Sequence, residues 1–265
     1  MWIDTHCHLD ASEFGEDAGG VALRSASRGV SCIVIPAIET GNFSAVSALA
    51  HEHPNCTYAL GIHPLFVPRA QEGDLAVLRN AVADMIDDPR FVAIGEIGLD
   101  FFVPRMSDSP LREKQEYFLS EQLKIARDFD LPILLHVRRS QDMVLKHLRR
   151  IAVRRGIAHA FNGSFQQAQT YIDLGFKLGF GGAMTFTRAL QIRRLATELP
   201  LESIVLETDA PDISPAWVHP ARNSPEELPR IGETLAELRK MEAAQIARIT
   251  TDNARAALPR LMALS

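Results

Sequence analysis

The sequence predicts an α/β chain folded as one (β/α)8 TIM barrel, a single domain over residues 1–265. Three observations predict it. Short runs rich in Ile, Val and Leu alternate with amphipathic stretches along the whole chain. The runs stay nearly free of charge until their last residues, as strands covered on both faces do. No low-complexity tract or Gly/Ser-rich linker divides the 265 residues, a length that suits one such barrel. A doubly wound open sheet is the alternative.

The expected strands cover residues 2–8, 30–38, 57–63, 91–97, 132–138, 156–161, 176–181 and 204–209. The sixth, Gly-Ile-Ala-His-Ala-Phe, has weak strand propensity and is placed partly by its position in the alternation. Between them, residues 111–130 read as the clearest helix, with Leu111, Phe118, Leu119, Leu123 and Ala126 on one face. Pro54, Pro89, Pro132 and Pro200 fall near helix ends, where a missing amide donor does least harm. Residues 224–257 read as two further helices, opened by Ser224-Pro225 as a cap and first-turn proline.

Composition limits the function. With 46% hydrophobic residues the chain has ample material for a core, and disorder is excluded. A net charge of −5 excludes a protein that holds nucleic acid through a general basic field, so any such partner must be gripped locally. The start of the chain carries no signal-peptide pattern, and no window is long and apolar enough to span a membrane. Cys7, Cys32 and Cys56 are odd in number and scattered, which argues against a disulfide framework; a cytoplasmic protein is expected.

Chemically capable residues collect at the predicted strand ends, and in a barrel those ends open on the face where active sites sit. His6 and His8 flank Cys7 in the first strand; a spacing of two puts both imidazoles on one side, as two ligands of one metal require, and turns Cys7 away. Glu96 is the only charge in an apolar fourth strand, so it needs a cation or a partner such as Arg138. In the fifth strand His136 and Arg138 share a face with Leu134; Arg138, nearer the mouth, is placed to grip an anionic group, bidentately if it is a phosphate. His63 ends the third strand and His159 lies in the sixth; at both, as at His136, a lone histidine also fits as a satisfied core residue, and Pro64 after His63 also reads as a simple turn. Glu207 and Asp209 share a face of the eighth strand: Asp209, nearer the end, takes the inner role, and Glu207 orients a ligating imidazole from behind. His51, His53 and His147 read as helix-surface residues, and His219 as a loop residue near the rim. Arg139, Arg149, Arg150, Arg154 and Arg155 read as the solvated face of the fifth outer helix, with help in holding a polyanion as the alternative.

Taken together, Asp4-Thr5-His6-Cys7-His8-Leu9, Gly61-Ile62-His63-Pro64, Gly95-Glu96-Ile97-Gly98-Leu99-Asp100-Phe101, Leu135-His136-Val137-Arg138, His159-Ala160-Phe161-Asn162-Gly163 and Glu207-Thr208-Asp209-Ala210-Pro211 resemble the TatD family of metal-dependent hydrolases, in that family's order and over almost the whole chain. The resemblance implies a TIM barrel of the amidohydrolase superfamily, two divalent metal ions (Zn, Mn or Mg) and deoxyribonuclease activity. It implies that His6, His8 and Asp209 hold one ion, that His136 and His159 hold a second, and that Glu96 bridges them. Arg138 and His63 then contact the substrate, with Glu207 behind the ligands. The chain departs from the family pattern at Ala160, Phe101 and Ser224, where Cys, Tyr and Glu are common; none of these is an expected ligand, and the last removes a rim carboxylate.

The expected reaction is metal-assisted hydrolysis of a phosphodiester of DNA, with Asp209 and Glu96 in the catalytic roles. The acidic net charge favours short or end-bound single strands over long duplex tracts. A hydrolase of small amides, lactones or phosphoesters on the same centre is the alternative, and a metal-stabilised binding scaffold is a third reading. Nothing in the sequence marks a protein partner.

Overall fold

A computed structural model describes residues 1–264. Its eight strands are β1 (Trp2–Asp4), β2 (Val30–Pro36), β3 (Cys56–Leu60), β4 (Phe91–Asp100), β5 (Ile133–Arg138), β6 (Gly156–Ala158), β7 (Phe176–Phe180) and β8 (Ile204–Leu206). Each pairs in parallel with the next in chain order. The helices between and after them are α1 (Ala18–Ser27), α2 (Phe43–Glu52), α3 (Gly73–Met85), α4 (Leu111–Asp128), α5 (Gln141–Arg150), α6 (Phe165–Asp173), α7 (Leu190–Glu198), α8 (Leu228–Arg239) and α9 (Ala243–Ala257). This is the expected TIM barrel. Among the described residues no helix is long and apolar enough to cross a membrane.

Several strands are shorter than the sequence suggests, because their last residues leave the ladder to build the site. The first is expected over 2–8 but pairs only over Trp2–Asp4, so His6 and His8 stand on the segment beyond it. The sixth pairs over three residues, Gly156–Ala158, and Ala160 then turns with φ +44. The C-terminal helices begin later than Ser224: its hydroxyl caps a short 3-10 turn, Pro225–Glu227, which leads into α8.

The seam between β8 and β1 is joined by backbone bonds past the strand ends. Thr5 N donates to Leu206 O (3.1 Å) and Asp209 N donates to His6 O (2.8 Å). The buried carboxylate of Asp4 staples this seam, accepting from Thr208 N (2.9 Å), Thr208 Oγ1 (2.6 Å) and His6 N (3.3 Å). Sequence reasoning gave Asp4 no role. In Asp4→Ala the Thr208 amide and hydroxyl would be buried without an acceptor, at a cost of about 3 kcal/mol in total. Urea unfolding checks this, with Asp4→Asn, which keeps one acceptor oxygen, losing less.

The barrel interior is apolar below and polar above. Ile3, Val34, Ala59, Val92, Leu134, Ile157 and Val205 fill the lower interior, and Ala254, Ala257, Leu258 and Leu261 pack with them, joining α9 and the turn after it to this cluster. Alternation along the strands carries the same faces upward into chemistry: Leu134 leads to His136 and Arg138, Ile157 to His159, and Val205 to Glu207 and Asp209. The larger cluster, which includes Cys7, packs the strands against the helices.

Candidate metal centre

Glu96 lies at the middle of the polar layer and is 1% exposed. Its Oε2 faces His6 Nε2 (3.1 Å) and His8 Nε2 (3.2 Å). Its Oε1 faces His136 Nδ1 (2.9 Å), His159 Nε2 (3.0 Å) and His63 Nε2 (3.3 Å). Asp209 Oδ1 stands 3.7 Å from His6 Nε2 and 3.8 Å from His8 Nε2. No ion pair joins Glu96 to Arg138 among the described residues, so the pairing weighed for it from sequence is not made.

Backbone chemistry explains how so many groups fit. Gly98 has φ +152, and a Cβ there would collide with the carbonyl of His136 on the neighbouring strand. At Gly179 a Cβ would occupy the space taken by the Glu207 carboxylate. Glu207 accepts from Ala160 N at 2.5 Å and sits 3.7 Å from His159 Nδ1, behind the imidazole.

The electrostatics follow from burial opposed by neighbours. Burial works against the charge on Glu96, but His63, His6 and His159, with the hydrogen bond from His136, hold its carboxyl well below the usual range. Burial pushes His6 down to about 3 and His63 to about 4, so both are neutral at pH 7. It also opposes the charge on His8, but Glu96 outweighs it and raises that imidazole to about 9. Burial pushes the Asp209 carboxyl up to about 6.

The centre forms the floor of a cavity of about 1080 Å³, with Arg138 and Arg139 among its lining residues. His219 lies in a neighbouring hollow with Arg188 and Arg222. The surface reading of His147 needs correction: it is buried between α4 and α5, with Nδ1 3.0 Å from Ser120 Oγ and Nε2 3.4 Å from Glu116 Oε2. Only its own helix is legible in sequence, so a cross-helix partner is not. Arg149 and Arg150 are exposed in the last turn of α5, away from the strand ends that carry the centre.

The family model described as TatD related DNase matches residues 3–259. The chain belongs to the TatD family. The uncharacterized metal-dependent hydrolase YjjV of Escherichia coli K12 is 41% identical over 253 residues, 95% of each chain. A crystal structure of YjjV, described as a TatD homolog, superposes with a TM-score of 0.91 at 40% identity, covering 97% of this chain and 98% of that one. An uncharacterized metal-dependent hydrolase of Haemophilus influenzae is 34% identical over 257 residues, 96% of this chain and 97% of its own. This TatD protein is thus a metal-dependent hydrolase.

Its donor set fits divalent ions. Three groups have ligand atoms all within 4.8 Å of one another: His6, His8 and Asp209; His6, Glu96 and His159; and His63, Glu96 and His136. The Nε2 atoms of His6 and His8 lie 3.3 Å apart and face one carboxylate oxygen, an arrangement that a shared cation satisfies. The Nδ1 atoms of His6 and His159 are buried without a hydrogen-bond partner among the described residues.

Tautomers separate the histidines. Leu65 N donates to His63 Nδ1 (3.1 Å), so neutral His63 carries its proton on Nε2 and presents a donor to the cavity. His136 Nε2 instead faces Asp100 Oδ2 (3.1 Å), so that when Nδ1, which faces Glu96 Oε1 (2.9 Å), gives up its proton, Asp100 would keep the other on Nε2 and leave Nδ1 free to ligate. Asp100 is a positioning residue that sequence reasoning missed, although it continues the inward face of Glu96 by an even spacing of four. Replacing it by Ala should free the His136 ring and weaken binding of Mn²⁺ by about 10–100-fold. Titration of the metal-free protein, followed by calorimetry, checks this.

Proposed function

We propose that this TatD protein hydrolyses phosphodiester bonds of DNA, acting on single-stranded or short substrates from an end. The observation that carries the reading is Arg138 at the mouth of a cavity whose floor is a divalent-ion donor set. The family model's description as a DNase supports it. His6, His8, Asp209 and Glu96 Oε2 would hold one ion, and Glu96 Oε1, His136 and His159 a second. Bound there, such ions lower the pKa of water and draw charge from phosphate oxygens.

The chain's own residues do the rest. Asp209 accepts the proton of the attacking water. Neutral His63, whose Nε2 proton faces Glu96 Oε1 at 3.3 Å, would turn that donor to a phosphate oxygen of the bound substrate. Arg138 meets the negative charge that develops on the phosphate. Glu207 holds His159 from behind through their close approach. Zn²⁺ or Mn²⁺ suits this imidazole-rich set better than Mg²⁺.

The test is release of nucleotides from single-stranded DNA with each metal, beside a panel of small phosphoesters, lactones and amides. Linear strands should be degraded and circular ones spared. Hydrolysis confined to the small esters would replace the nuclease reading with the small-molecule one, and circles cut as fast as linear strands would overturn the end-directed mode.

A further inference from the structure

Arg138 is followed by a second arginine, and consecutive residues of a strand point to opposite faces. Here the chain turns at once: Arg139 has φ +55, and both guanidiniums come to the ring of Phe102, with Cζ 3.7 Å (Arg138) and 4.6 Å (Arg139) from its centroid. Phe102 is 44% exposed, on the segment just past β4. All three residues line the cavity over the metal centre. Arg138 and Arg139 are the only lysine or arginine side chains lining that cavity among the described residues, whereas Asp10, Glu13 and Asp212 line it as well. Neither arginine has a carboxylate partner among the described ion pairs.

The ring is fixed to the centre. The Oδ1 of Asp100 accepts from Phe102 N (2.8 Å) and Val103 N (3.1 Å), while Oδ2 of the same carboxylate meets His136. Phe101 N donates to Arg138 O (2.9 Å), and Ser140 Oγ donates to Leu99 O (2.6 Å), so the ends of β4 and β5 are tied together under the ring. Two like charges over one aromatic ring, without a counterion, repel each other and attract a dianion or a diester phosphate. Arg138 lies two residues beyond His136, about 7 Å along the strand. Arg139, one residue further out and turned onto the ring, is placed for a phosphate next to the one that Arg138 meets at the centre.

We propose that Arg139, seated on Phe102 beside Arg138, forms a rim clamp for a second phosphate of the substrate, next to the one hydrolysed. This rests on the phosphodiester reading and narrows it to substrates with at least two phosphates. The acids on the rest of the rim steer the chain of phosphates toward the clamp. That second phosphate is either the neighbouring diester or a terminal monoester.

The experiment measures binding of fluorescein-labelled oligothymidylates to the Mn²⁺-loaded Asp209→Asn protein by anisotropy, so that cleavage does not interfere. Arg139→Ala and Arg139→Gln, exposed changes, should each weaken binding about tenfold at low salt. Each should also reduce the slope of log Kd against log salt by about 0.7, the single-strand value for one lost contact. Phe102→Leu should weaken binding by a smaller factor by loosening both guanidiniums. A single neutral methylphosphonate beside the scissile linkage should cost the parent the same tenfold and cost Arg139→Ala nothing more. If instead only removal of a terminal phosphate shows this non-additivity, the clamp reads an end. Unchanged affinity and slope in both Arg139 variants, or losses that simply multiply for every altered phosphate, overturn the clamp while leaving the phosphodiester reading intact. A protein that binds no oligothymidylate at any salt overturns both.

Discussion

Glu96→Ala is expected to lose bound metal and to lower hydrolysis at least 10³-fold, about 4 kcal/mol of barrier. The reason is geometric. One carboxylate faces five imidazoles, Oε2 meeting His6 and His8 and Oε1 meeting His63, His136 and His159, all within 3.3 Å. Alanine leaves those nitrogens around a void and removes the central carboxylate that would balance the proposed ions. Glu96→Gln keeps the volume and should still lose most of the metal, since an amide is a weaker, neutral donor. Elemental analysis of the purified variants, alongside the single-strand assay, reads both effects. Metal content and turnover equal to the parent would contradict the assignment of Glu96.

Asp209→Asn is expected to separate chemistry from binding. It preserves the shape of the residue and the seam bond from Asp209 N to His6 O. It removes the carboxylate proposed to take the proton, so kcat should fall about 10²–10⁴-fold with KM changed little. Asp209 is also one of the donors grouped with His6 and His8, so the variant should bind metal more weakly. The affinity of the metal-free parent for Mn²⁺ should decline as pH drops through about 6, where its Asp209 carboxyl gains a proton that competes with the ion. A variant within threefold of the parent in kcat would remove Asp209 from the reaction.

The barrel and most of the centre are legible in the chain because both depend on local pattern. Charge-free runs that end in one polar residue announce strands with buried flanks and functional tips, and the alternation Leu134, His136, Arg138 survives intact in the structure. His6 and His8 come to one carboxylate oxygen although β1 ends at Asp4, before either of them. What is not legible depends on partners far along the chain. Asp4 staples the seam only because Thr208 lies opposite it, and Asp100 orients His136 across two strands. The tautomer of His63 is set by the amide of Leu65 in the following turn. Arg139 reads as a solvated residue until its left-handed backbone turns it onto Phe102. His147 reads as exposed until α4 supplies Ser120 and Glu116.

The most direct test of the account is manganese anomalous scattering from crystals of this protein. Two peaks are expected, one among His6, His8, Asp209 and Glu96, the other among Glu96, His136 and His159. An absence of anomalous density inside the cavity, or a single ion bound away from Glu96, would contradict the central claim.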